Sequence, residues 1–324
     1  MKRSSTAQIA SPGVAAAWAA CALAAVSLVL IASPAQARFL GHHAKTQAVL
    51  ADSDIAQVQR AIDEQRFIDA GRMLDQASLA GLRDPRLTLL TAELSLARGQ
   101  SETALAQFRL AETAPANRAK AWEGEGIALS QLGHSEEALQ TLQRAVAEDP
   151  SAWRAWNALG SEYDNRRDWT QAEAAYDHAL ADSGSAAIVL NNRGYSRLLQ
   201  NRLDDAVADF VAALKARPDL GAARTNLRLA MAMRGDYDRA LAGGGGEVDQ
   251  AALLNNAGFA AILRGDYAKA QELLGQAMKV KGEYYGRASA NLDLAHDLTS
   301  RNLTSPNMTS GGAAAPAAAP HADH

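Results

Sequence analysis

Six asparagines stand in a spaced series along the chain: Asn157, Asn191 with Asn192, Asn226, and Asn255 with Asn256. A side-chain amide carries two N–H donors and an acceptor oxygen. A row of them can pair with both sides of an extended peptide backbone whatever its sequence, so the chemistry on offer is recognition rather than bond breaking. A second series is cationic. Arg86, Lys120 and Arg154 follow one another at 34-residue steps and suit an acidic segment or a C-terminal carboxylate.

Signatures of catalysis do not accompany them. The chain has no Gly-x-Ser-x-Gly, no phosphate loop and no His-Glu-x-x-His, and Gly124-x-Gly126 lacks a third glycine. His42, His43, His321 and His324 belong to the chain ends, while His134, His178 and His296 stand apart and are expected at the surface. Cys21 is the single cysteine, so no disulfide and no thiolate metal site is expected. No cofactor, no metal and no enzymatic activity are expected.

What positions the two series is a repeat. Taking units to begin at Ala51, Pro85, Ala119, Trp153, Ala187 and Gly221, a 34-residue register runs through six units without an insertion. Position 20 is alanine in all six, from Ala70 to Ala240, and position 27 is alanine in the first five. Position 24 is large: Leu74, Phe108, Leu142, Tyr176 and Phe210. Position 8 is glycine in Gly126, Gly160 and Gly194. Positions 4, 8 and 11 share one face of a first helix, and 20, 24 and 27 share one face of a second. Small residues at 8 and 20 let the two helices approach, and the large ones fill the surrounding space. Pro150 and Pro218 stop helices between units.

Trp156-x-x-Leu159-Gly160-x-x-Tyr163, followed by Ala172, Tyr176 and Ala179, resembles the tetratricopeptide (TPR) signature. The resemblance covers about 240 residues and implies an all-α solenoid, a right-handed superhelix of antiparallel helix pairs. It also implies that first helices line a groove, with positions 2, 5, 6, 9, 12 and 13 facing it. Asn192, Asn226 and Asn256 then occupy position 6, Asn157, Asn191 and Asn255 position 5, and Tyr195, Leu229 and Phe259 position 9. Leu198, Leu199, Met233, Ile262 and Leu263 follow one turn on. Together they make an apolar groove with amide clips for an extended or helical partner segment. The alternative is that the amides bond within the fold and the apolar residues are core. For the basic row the alternative is a solvated helix end.

The register is interrupted once. Gly243 to Gly246 ends the second helix of unit six early, and a seventh unit resumes at Ala251. A last helix over 284–298 is expected to cap the exposed apolar face, so the solenoid spans 51–300.

The chain ends read differently. Lys2 and Arg3 precede an uncharged stretch from Val14 to Ala32, and Ala35-Gln36-Ala37 suits cleavage. Residues 1–37 are therefore a signal peptide or a retained N-terminal anchor, with 38–50 a linker. Lipidation at Cys21 is a weaker option, since Trp18 spoils the box. Residues 301–324, rich in Ala and Pro, cannot offset their ordering entropy and form a tail. Net charge is −4; without a basic block, nucleic acid is not an expected partner.

The last third carries a second resemblance. Arg234-Gly235-Asp236-Tyr237, Leu254-Asn255-Asn256-Ala257-Gly258-Phe259, Arg264-Gly265-Asp266-Tyr267 and Tyr284-Tyr285-Gly286-Arg287-Ala288-Ser289-Ala290-Asn291-Leu292 are similar to the TadD family of Flp (Tad) pilus assembly proteins. That implies a non-catalytic scaffold, exported to the periplasm or envelope, whose partner is an outer-membrane secretin or another Tad component. The other reading is a periplasmic TPR adaptor or chaperone, serving cell-wall synthesis or secretion.

Overall fold

A computed structural model describes residues 51–181, 186–243, 247–281 and 285–304. The expected signal segment, Cys21, the linker, Gly244 to Gly246 and most of the C-terminal tail lie outside the described residues. Among those described there are fifteen α-helices and no strand.

The helices come in pairs. Unit one holds α1 (Asp52–Asp63) and α2 (Phe67–Leu79); unit two α3 (Pro85–Ala97) and α4 (Ser101–Ala111); unit three α5 (Arg118–Gln131) and α6 (Ser135–Glu148). Unit four holds α7 (Trp153–Asn165) and α8 (Trp169–Ala181), and unit five α9 (Ala186–Leu199) and α10 (Leu203–Ala216). Then come α11 (Gly221–Arg234), the five-residue α12 (Tyr237–Leu241), α13 (Glu247–Arg264), α14 (Tyr267–Lys281) and α15 (Gly286–Thr304). Each pair packs internally and against the next, so the core is a series of small clusters strung along the stack.

The alternation of small and large residues builds the pairs. A Cβ placed on Gly126 would lie 2.5 Å from Leu142 Cγ, on Gly160 2.6 Å from the Tyr176 ring, and on Gly258 2.6 Å from Leu274 Cγ. The position-24 side chain therefore sits in the notch left by the position-8 glycine. Unit two has Ala92 at position 8. Its Phe108 fits instead against Gly124 of the next unit, where a Cβ would be 2.1 Å from the ring. Phe108, Tyr176 and Phe210 are buried, as are the alanines at position 20.

Between first and second helix the chain turns through a left-handed residue at position 15. Gly99, Gly133, Gly235 and Gly265 have φ between 72° and 94°. Gln65, Arg167 and Asn201 hold the same place in the other units with φ of 58–59°. Between units, the position-4 side chain reaches back to a proline carbonyl: Trp156 Nε1 donates to Pro150 O at 2.8 Å, and Arg224 to Pro218 O at 2.8 Å.

Position 14 ties units together. Arg98 donates to Phe67 O (2.7 Å), Arg264 to Met233 O (2.6 Å), and Arg166 to Glu136 (2.8 Å). Arg234 pairs with Asp204 at 2.9 Å. In unit six, Arg228 bonds the carbonyls of Ala242 and Gly243, closing the C-terminal end of the short α12. Helix α13 starts four residues before Ala251, and α15 runs past Leu298. Thr299 extends that last turn by bonding Ala295 O and Gln271. Ala288 and Ala295 of α15 are buried in the same core cluster as Leu273 and Leu274 of α14.

Candidate functional site

The asparagines meet one another. Asn226 Nδ2 donates to Asn191 Oδ1 (3.0 Å), Asn191 Nδ2 to Asn192 Oδ1 (3.2 Å), and Asn192 Nδ2 to Asn157 Oδ1 (3.0 Å). The amides of α7, α9 and α11 thus form one continuous chain, joining position 5 of each unit to position 6 of the next. A second run has Asn291 donating to Asn255 (3.1 Å) and Asn255 to Asn256 (3.4 Å). Asn291 of α15 joins the series without having been expected in it; it stands 36 residues after Asn255, one more than the 35 that separate the other pairs, so the strict register does not point to it. The two runs do not join, because Thr225 occupies position 5 of unit six.

The amides are therefore partly committed to the fold, although each still has unspent donors or acceptors. Asn157, Asn191, Asn192 and Asn226 are half-buried, Asn255 is buried, and Asn256 is exposed. Tyr195, Leu229 and Phe259 are half-buried, each packed with one edge on the core clusters. Leu198 and Ile262 belong to the core itself, whereas Leu199 and Leu263 remain 40% and 39% exposed. Burial raises the Tyr195 hydroxyl above its ordinary range, with Asp164 adding to the effect.

The first-helix face of the late units is uncharged for a reason visible in the bonds. All six arginines of α9, α11 and α13 are turned to protein groups. Arg193 bonds Asp209 and Asp177, and Arg197 bonds Asp209 and Glu173. Arg234 bonds Asp204 and Asp236, while Arg224, Arg228 and Arg264 bond backbone carbonyls.

The cationic row is not a row of open charges. Arg86 bonds Asp84, whose side chain also caps α3 by accepting from Arg86 N, and reaches Asp52 at 2.6 Å. This pairing raises the arginine's pKa and lowers that of Asp84. Lys120 and Arg154 flank the buried Glu123 at 3.6 and 3.7 Å. Both also act on Glu93, whose carboxyl is pushed upward by burial. The row neutralises acids already within the stack. His178 likewise has a partner, stacking on Trp156 at 4.4 Å. Among the described residues, no group of three or more His, Cys, Asp or Glu is placed to hold a metal ion.

A family model described as tetratricopeptide repeat matches residues 124–187 and 157–221, a stretch that includes the notch glycines Gly126, Gly160 and Gly194. The fold is a tetratricopeptide-repeat solenoid. Among solved structures, the TPR stack resembles the APC/C hetero-tetramer Cut9–Hcn1 with a TM-score of 0.60 at 15% identity, over 76% of this chain and 49% of that one. TTC0263, a thermophilic TPR protein of Thermus thermophilus, gives 0.50 at 20% identity, over 56% and 98%. At such identities the likeness is one of fold. By sequence, cellulose synthase operon protein C of Escherichia coli K12 is 34% identical over 148 residues, or 45% of this chain. Protein FlbA of Caulobacter vibrioides is 29% identical over 89 residues, or 28% of this chain. The chain spans 12% and 15% of the lengths of these two relatives.

Proposed function

We propose that this TPR chain is a non-catalytic scaffold that holds a partner protein on the first-helix face of units five to seven. The observation that carries the reading is the composition of that face. Amides with unspent hydrogen-bonding capacity alternate with half-exposed Tyr195, Leu229 and Phe259, and every arginine of α9, α11 and α13 is engaged elsewhere. Such a surface favours a segment that presents backbone and apolar side chains.

The cellular role proposed is assembly of a Flp (Tad) type pilus secretion apparatus in the bacterial envelope, with an outer-membrane secretin or another Tad component as partner. The TadD-like residues of α11 to α15 and the export-type N-terminus support it. Export to the periplasm or envelope, by a cleaved signal or with the segment kept as an anchor, belongs to the same proposal. Similarity to a protein named for the cellulose synthase operon favours a second reading, a TPR adaptor for another envelope process.

Co-purification of the full chain from its native envelope separates the two. Recovery of secretin or pilus-assembly components supports the first. Their repeated absence, with polysaccharide-synthesis or cell-wall proteins in their place, overturns it. Replacing Phe259 and Leu229 with serine should release the partner in either case.

A further inference from the structure

Unit four carries a buried carboxylate at each of its two junctions. On one side Glu162 is 1% exposed and accepts hydrogen bonds from Ser130 and Ser135 of unit three. On the other, Asp164 accepts from Tyr176 Oη of its own unit at 2.8 Å and from Ser196 Oγ of unit five at 2.6 Å. Tyr176 and Ser196 are each 1% exposed and Asp164 itself 9%, so the second junction is largely shut off from solvent.

The surroundings of Asp164 are unfavourable to charge. Its hydrogen-bond partners in the structure are two neutral hydroxyls. It is the penultimate residue of α7, where the helix dipole is negative. From α8 it is faced by Tyr176 and by the acidic Glu173; from α9 by Ser196 and Tyr195. The arginines nearby are committed elsewhere: Arg197 to Glu173 and Asp209, Arg202 to Glu173 and Asp205. Elsewhere in the stack, buried Asp209 is held by two guanidinium groups. Asp164 has the burial without the compensation.

We propose that the junction between units four and five is a proton-operated joint, closed when Asp164 is neutral and loosened when it ionises. The ionised form accepts from both hydroxyls but has no cation beside it to offset its charge, whereas the neutral form accepts from Tyr176 through its carbonyl oxygen and donates its own proton to Ser196 Oγ. The proton comes from solvent and returns there; no other group changes state. Desolvation pushes the Asp164 carboxyl up to about 6 from an ordinary value of 3.8. The folded chain therefore binds this proton more tightly than the unfolded chain. The resulting stabilisation is complete below about pH 4 and is lost as pH rises through about 6.

The test uses the full chain. Carbon-13 NMR of the aspartate carboxyls, with Asp164→Asn to assign the signal, should give an inflection near pH 6. An inflection below about pH 4.5 overturns the proposal. Urea unfolding at about pH 5.0 and 7.5 gives the second arm. The unfolding constant of the parent should rise about tenfold more than that of Asp164→Asn between the two values, and parallel behaviour overturns the proposal. Should Asp164→Asn fail to fold, Tyr176→Phe decides. Loss of a donor to the carboxylate must move the parent's inflection upward, and an unmoved inflection overturns the proposal. The result does not depend on which partner the solenoid holds.

Discussion

At the scale of single residues, the notches matter more than the helix propensity they sacrifice. Alanine is favoured over glycine within a helix by about 1 kcal/mol. At Gly160, however, a methyl would meet the rigid Tyr176 ring at 2.6 Å, and overpacking costs about 1–3 kcal/mol. Gly160→Ala should thus destabilise by about 1 kcal/mol net in urea unfolding. Asn192 has two amide partners. Asn192→Ala should lose about 1–2 kcal/mol, whereas Asn256→Ala, at an exposed position, should leave unfolding nearly unchanged. If both leave it unchanged, the amide chain contributes nothing to the fold.

The small–large alternation of the helix pairs is legible in the residues because packing periodicity is local: 34 residues contain both faces. The fate of the amides is not. Whether Asn191 meets a ligand or Asn226 depends on the distance between consecutive first helices, which no spacing along the chain encodes. The same limit applies to Lys120 and Arg154. Their partner Glu123 sits at a position where an acid recurs in no other unit, so no ladder announces it. Gly124 does not declare itself as a notch because its occupant, Phe108, comes from the preceding unit.

At the scale of elements, the units are held by clips as well as by apolar contact. Arg98, Arg166 and Arg264 each cross to the previous unit near the turn that precedes or follows its second helix. Because these side chains are partly solvated, replacing any one by alanine should cost only about 0.5–1 kcal/mol. Local hydrogen exchange should quicken more than that suggests at the start of α2 for Arg98→Ala and of α6 for Arg166→Ala. The last element answers a different need. Deleting α15 removes Ala288 and Ala295 from the core cluster that they share with α14 and leaves Asn255 without Asn291. Truncation after Lys281 should therefore bind a hydrophobic dye strongly and aggregate, as an uncapped solenoid does. A soluble, dye-silent truncation would show that α15 is an appendage.

At the scale of the whole molecule, charge is distributed unevenly along the first helices. The early units hold mutually neutralising ions, Glu93 and Glu123 with Lys120 and Arg154. The late units show amides and apolar groups. Partner binding to the late face should accordingly be almost insensitive to salt. Raising ionic strength from about 50 to 500 mM should weaken it by less than about threefold, because no exposed ion pair is there to be screened. A steep salt dependence would move the docking site to the early units.

The bonds that join one unit to the next have a common span. Position 14 reaches back 30 or 31 residues, and position 5 meets position 6 across 35. A change of chain length by one or two residues inside a unit would misplace the clips that cross that unit, while the clips between later units would keep their spacing. Removal of a complete unit, such as residues 119–152, would bring equivalent partners back into place. The architecture therefore tolerates gain or loss of its own period, and takes a smaller change only where, as in unit six, a second helix is shortened to absorb it. In genetic terms, such a chain lengthens by duplication rather than by insertion.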